Sequence, residues 1–223
     1  RSFLSTNKMK DNAKSKELLQ QLIDINFNDP KIYSFMSNIL VEEGNTDKAL
    51  EYLVLGRDMF EDDQNLINAE INLYIKLDRT EELIAKLSDN IESYPDNDTY
   101  YVIRGTCYQN FDDLEKAILD YKSALAINPD HLTALNNISS CYLKQAEPII
   151  KKKNTLSINQ TSSYNLYKGQ LKEIYLEALS NLEHYIQLEP TDKRLLHVLV
   201  EIYYKLEMYK ESKDIKDRIA ELK

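Results

Sequence analysis

Between Asp98 and His131 bulky and small residues alternate in a fixed phase, and no other feature of the chain limits its possible folds so strongly. Counted from one, the segment has thirty-four positions; Tyr101, Gly105 and Tyr108 fall fourth, eighth and eleventh, and Ala117, Tyr121 and Ala124 twentieth, twenty-fourth and twenty-seventh. Steps of three and four place side chains on one face of an α-helix, so the segment predicts two helices whose faces meet in an antiparallel hairpin. The small residues let the helix backbones approach, and the tyrosines fill the space beside them. Pro129 cannot extend the helix before it and pushes Asn128 out of the helical region.

The same register runs in both directions. Residues 30–63 carry Tyr33, Ser37, Leu40, Ala49 and Leu53 at the matching positions, with Gly44 at the turn. Residues 64–97 are a more degenerate copy with Ile67, Ile71, Tyr74, Leu83, Leu87 and Pro95. After Leu132 a first helix matches through Leu135, Ser139 and Tyr142, and a second through Ala178, Leu182, Tyr185 and Pro190. The step from Pro129 to Pro190 exceeds one repeat length by twenty-seven positions, so the unit 132–192 holds an insertion of that size, around 144–170. Residues 193–223 form the last copy, with Leu196, Val200 and Tyr203. Residues 1–29 form a partial N-terminal repeat, in which Leu18, Leu19, Leu22 and Ile23 make the apolar face of a helix. A break at the end of every repeat argues against a coiled coil, whose apolar pattern runs on in heptads. With 4 glycines and 5 prolines in 223 residues, turns are few.

This pattern resembles the tetratricopeptide repeat (TPR) family at all seven of its signature positions within 98–131, and more loosely over residues 10 to 223. The resemblance implies an all-α fold, a right-handed superhelical solenoid of about eleven helices in which each hairpin buries its apolar face by stacking on its neighbours. At the last helix Ser212 and Lys216 stand where earlier copies have Ala117 and Tyr121, which reads as a polar cap. At the other end the leucine face wants a partner that the stub containing Phe3 and Leu4 can hardly supply, so a longer native protein is expected.

The insertion is expected to lengthen both helices of one hairpin, joined by a polar loop over 154–163. Lys144, Lys151, Lys152, Lys153 and Lys168 against Glu147 make it basic on a chain of net charge −9. It reads either as a plain extension or as a docking element for an acidic partner or a lipid surface. Extensions just before the final repeat are similar to those of envelope-associated repeat proteins of Bacteroidetes-type bacteria; that similarity favours the periplasm or cell envelope over the cytoplasm.

With 37 acidic against 28 basic side chains, nucleic acid is not an expected partner. No apolar stretch reaches the roughly 18 residues of a membrane span. His131, His184 and His197 have no nucleophile set beside them, and no phosphate loop, HExxH or calcium loop occurs, so no enzyme, metal or cofactor is expected. Cys107 and Cys141, each tenth in its repeat, should lie roughly 10 Å apart on stacked helices, too far to bridge.

The resemblance places the binding surface on the first helix of each repeat, and the residues carried over there are rich in amides and hydroxyls. The candidates are Asn38, Asn68, Asn72, Lys76, Asn110, Asn136, Lys144, Arg194, His197 and Glu201. An amide side chain offers a donor and an acceptor, so an asparagine ladder could hold an extended peptide by its backbone. The carboxylate clamp of chaperone cofactors has no counterpart: its cation positions hold Ser34, Thr99 and Ile103 in one register and Asn68, Thr133 and Asn137 in the next. The expected function is a non-catalytic scaffold binding a peptide or partner protein along a polar groove. The alternative is an assembly or homo-oligomerisation element acting through its stacking ends or the basic insertion.

Overall fold

The structure, a computed structural model, describes residues 2–61 and 63–222, with residues 2–10 described by backbone alone. It is all-α: among the described residues there are eleven helices and no strand. They are α1 (Ser2–Asp24), α2 (Lys31–Glu42), α3 (Thr46–Met59), α4 (Gln64–Lys76), α5 (Thr80–Ser93), α6 (Asp98–Asn110), α7 (Leu114–Ile127), α8 (Leu132–Asn154), α9 (Thr161–Leu188), α10 (Lys193–Lys205) and α11 (Tyr209–Glu221). The chain divides into two compact units, Arg1–Ala85 and Lys86–Lys223, with the division falling inside α5.

Local sequence sets where helices begin. Asp63, Asn97, Asp113 and Asp192 each accept a hydrogen bond from the backbone N–H three residues on, and His131 Nδ1 does the same for Ala134. Each satisfies a donor that the first turn would leave open. Four hairpin turns pass through the left-handed region, at Gly44 (φ 79°), Asp78 (56°), Asp112 (63°) and Glu207 (63°). The first three are spaced by one repeat length each, so the backbone repeats its turn conformation in step with the side-chain phase, although only one of the four is glycine.

In the second unit the interlock of α6 and α7 centres on Gly105. A Cβ there would lie 2.9 Å from Cε1 of Tyr121 and 3.2 Å from Cβ of Asp120. Tyr121, Ala117 and Ala124 are fully buried, so the ring has nowhere to retreat. Beside this contact the Arg104 guanidinium forks onto Asp120, with Nε–Oδ2 2.8 Å and Nη2–Oδ1 2.7 Å, and its Nη1 donates to Ser88 Oγ of α5 at 3.0 Å. Where α8 crosses α9, Ser139 and Ala178 are buried, and the Ser139 hydroxyl lies 2.7 Å from the Leu135 carbonyl and 3.3 Å from that of Ala178.

The first unit solves the same problem with the sizes exchanged. Gly56 of α3 faces Tyr33 of α2 so closely that a Cβ would come within 2.6 Å of the tyrosine Cβ. Between α3 and α4 the buried Glu70 accepts from Arg57 Nε at 2.8 Å. Helix α1 packs against α2, where Leu19, Leu22 and Ile23 are half-buried. Leu18, expected on the same face, is 52% exposed: it is turned away because α1 presents a narrower stripe than four apolar residues so close in sequence suggest. The expectation for the side chains of Phe3 and Leu4 lies outside the described residues.

Two further departures concern the later repeats. The loop between α8 and α9 covers only residues 155–160, because Thr161–Ser163 join α9 and the Gln160 side chain closes the turn on Ser157. Ser212 is not on a polar outer face. It is 3% exposed, and its hydroxyl donates to the Val200 carbonyl at 3.1 Å. It occupies the small-residue position that brings α11 close to α10, and its polarity is satisfied by a backbone acceptor.

Ala117→Leu should destabilise the protein by about 1–3 kcal/mol through overpacking, and Gly105→Ala by a similar amount because the Tyr121 ring cannot yield. Denaturant melts check both; an unchanged midpoint for either would mean that α6 and α7 do not meet at these residues.

Candidate functional site

The proposed binding residues fall in two groups, one in each unit. In the first unit α2 and α4 pack directly, and Asn38, Asn68, Asn72 and Lys76 are all exposed on them. Helical steps of four align Asn68, Asn72 and Lys76 along α4.

In the second unit the first helices α6 and α8 touch, while α10 packs against α9 and α11. Between α8 and α10 opens a cleft of about 170 Å³, lined by Asn136, Asn137, Ser140, Leu143, Arg194 and Val198 among others. Asn136 and Arg194, separated in sequence by the whole α8–α9 hairpin, thus share one cleft. Arg194 also lies 3.6 Å from Asp192. Lys144 is paired with Asp112 at 2.7 Å, and Asn110, two residues before Asp112, is exposed at the end of α6. His197 is exposed on α10, and Glu201 lines a separate open recess with Tyr204, Lys205 and Lys216.

The pattern reading missed the relay that connects this face to the core. The Tyr121 hydroxyl donates to Gln109 Oε1 at 2.7 Å and accepts from Asn137 Nδ2 at 3.3 Å, with Thr106 Oγ1 at 3.2 Å. Asn137 Oδ1 in turn accepts from Asn136 Nδ2 at 3.3 Å. A tyrosine whose ring is fully buried therefore uses its hydroxyl to orient amides on α6 and α8. Burial pushes this phenol far above the ordinary tyrosine range, so it stays protonated and can serve as a donor.

The histidines are occupied structurally or exposed: His131 caps α8, His184 Nε2 lies 2.7 Å from Asp130 Oδ1, and His197 faces solvent. Cys107 and Cys141 are buried thiols that are not joined in a disulfide, and burial pushes the Cys141 thiol up to about 11.

Residues 98–131 match the tetratricopeptide repeat family. The segment is a tetratricopeptide repeat. Repeats of this family are in general non-catalytic scaffolds for protein interaction. Solved structures share the fold of the chain at low sequence identity. IFIT1, solved as a monomeric mutant with m7Gppp-AAAA, is 13% identical with a TM-score of 0.61 over 96% of this chain; this chain spans 47% of that one. MamA from Desulfovibrio magneticus RS-1 is 12% identical with a TM-score of 0.51, covering 87% of this chain and 95% of its own. YrrB, described as a TPR protein with an unusual peptide-binding site, is 13% identical with a TM-score of 0.50 over 93% of both chains. No curated protein matches the chain. The chain has the TPR fold, and among the described residues no helix is long and apolar enough to cross a membrane.

Tyr121→Phe should lower stability by about 1 kcal/mol by removing one well-made hydrogen bond, read as a shift in a denaturant melt. At pH 8.5 iodoacetamide should leave Cys141 unmodified in the native protein and label it only after unfolding, since a thiol titrating near 11 is almost wholly protonated there. Rapid native labelling, followed by mass spectrometry, would show that this part of the core opens.

Proposed function

We propose that the protein is a non-catalytic scaffold that holds a peptide or partner protein along the amide-rich faces of its first helices. The observation that carries this reading is the cleft between α8 and α10. It brings the Asn136 amide and the Arg194 guanidinium to one opening beside apolar Leu143 and Val198. An extended peptide presents alternating backbone donors and acceptors, and amides can meet either. Arg194 adds a planar cation able to donate to a carboxylate or a backbone carbonyl. Because the Tyr121 relay ties Asn136 through Asn137 to a buried hydroxyl, part of the ordering cost of binding is already met in the free protein. Asn110, Lys144, His197 and Glu201 extend the polar surface of the second unit, and Asn38, Asn68, Asn72 and Lys76 give the first unit a polar face of its own.

A peptide held mainly by its backbone would be selected weakly by sequence, as suits a scaffold that takes several partners. The alternative of self-assembly is favoured at one place: Tyr204 and Tyr209 stack edge to face at 5.5 Å while both remain more than half exposed. The resemblance of the extension before the final repeat to those of envelope-associated repeat proteins slightly favours the cell envelope over the cytoplasm as the place where the scaffold works.

Affinity capture from the native source, with wild type and the Asn136→Ala/Arg194→Ala variant compared side by side, tests the groove. Partner recovery should fall by about tenfold or more, the scale of losing one charged and one neutral hydrogen bond at an interface. Equal recovery would move binding off this cleft. Light scattering over a wide concentration range should show a monomer; concentration-dependent dimers would favour assembly.

A further inference from the structure

The elongated α8–α9 hairpin reaches beyond the length of its neighbours and hangs over the turn between α10 and α11. Under it lies a pocket of about 370 Å³ that shares no lining residue with the Asn136–Arg194 cleft. Four lysines line it: Lys153 from the end of α8, Lys168 and Lys172 from α9, and Lys205 from the last turn of α10. The one carboxylate among the lining residues is Glu207. Beneath the charges the floor is apolar, with Leu171 and Tyr175 buried and Ile150 and Leu206 beside them. Tyr164 stands at the side with the Lys153 ammonium 5.7 Å above its ring.

Four cations around one carboxylate are unexpected on a chain of net charge −9. Like charges gathered in a recess repel one another and raise the potential inside it. Glu207 already shows what the site accepts. Its carboxylate is 2.8 Å from Lys168 Nζ, and Lys168 and then Lys172 hold its titration below the usual carboxylate range. It arrives there from a left-handed turn position, φ 63°, which disfavours a residue with a Cβ.

We propose that this pocket binds an acidic peptide segment, with a carboxylate side chain replacing Glu207 among the lysines and a bulky apolar side chain resting on Leu171 and Tyr175. A bare oxyanion would leave that floor uncovered, and the recess admits a side chain where a flat lipid surface would meet only its rim. Glu207 acts as an internal competitor: it neutralises part of the pocket when no partner is present and gives way when a partner brings its own carboxylate. This site goes beyond the groove described above and does not depend on it.

The test uses the full chain and a short fluorescein-labelled Asp/Glu peptide with one central Phe, followed by fluorescence anisotropy. Wild type should bind at low salt and release the peptide as salt rises. Lys172→Glu/Lys205→Glu should bind about tenfold or more weakly, because both positions are exposed and the change reverses charges at the contact. Glu207→Gln should bind more tightly than wild type, and the Asn136→Ala/Arg194→Ala variant should bind as wild type does. Replacing the Phe of the peptide by Gly should weaken binding. Thermal melts confirm that each variant is folded. The proposal is overturned if wild type does not bind at low salt, if Glu207→Gln leaves affinity unchanged, or if the Phe and Gly peptides bind alike. Capture of phosphatidylserine vesicles through these lysines without peptide binding would overturn it as well.

Discussion

The missing side chain at Gly105 is the constraint on which the second unit depends. A methyl group there would stand 2.9 Å from a ring that is completely enclosed, so the separation of α6 and α7 is set by a contact that cannot be relaxed from either side. Three consequences meet at this point. The helices come close enough for Arg104 to fork onto Asp120, a partly buried pair whose geometry is bidentate and which a third helix supplements through Ser88. The tyrosine ring fills the hairpin, and its hydroxyl emerges where α6 and α8 carry their amides. Packing and surface chemistry are thereby coupled through a single residue, Tyr121.

The first unit meets the same demand by another route. There the tyrosine sits on the first helix and the glycine on the second, Tyr33 against Gly56, and the buried ion pair joins α3 to the following helix through Arg57 and Glu70. What is kept between the two units is the requirement that one side of each crossing be small. Which helix supplies the small residue is free to change, and so a strict residue pattern is matched in one segment while the geometry extends further.

The hairpins were legible in the chain because helical periodicity is local: Tyr101, Gly105, Ala117 and Tyr121 declare their faces within a few residues of one another. The site was legible only in part. That Asn68, Asn72 and Asn136 stay out of the core follows from helical phase, but that Asn136 meets Arg194 depends on the separation of α8 from α10, which no spacing encodes. Ser212 was misleading because a hydroxyl reads as surface chemistry until its acceptor, a carbonyl of the facing helix, is seen. The lysine pocket was hidden for a related reason. The insertion announced its charge through Lys151, Lys152 and Lys153, yet only Lys153 of the three lines the recess, and Lys205 and Glu207 come from a different hairpin.

Because that recess has walls from two successive hairpins, it exists only while the last one remains seated. Whatever fills the space between α9 and the α10–α11 turn would act as a clasp, slowing hydrogen exchange in α10 and α11 without any change of shape.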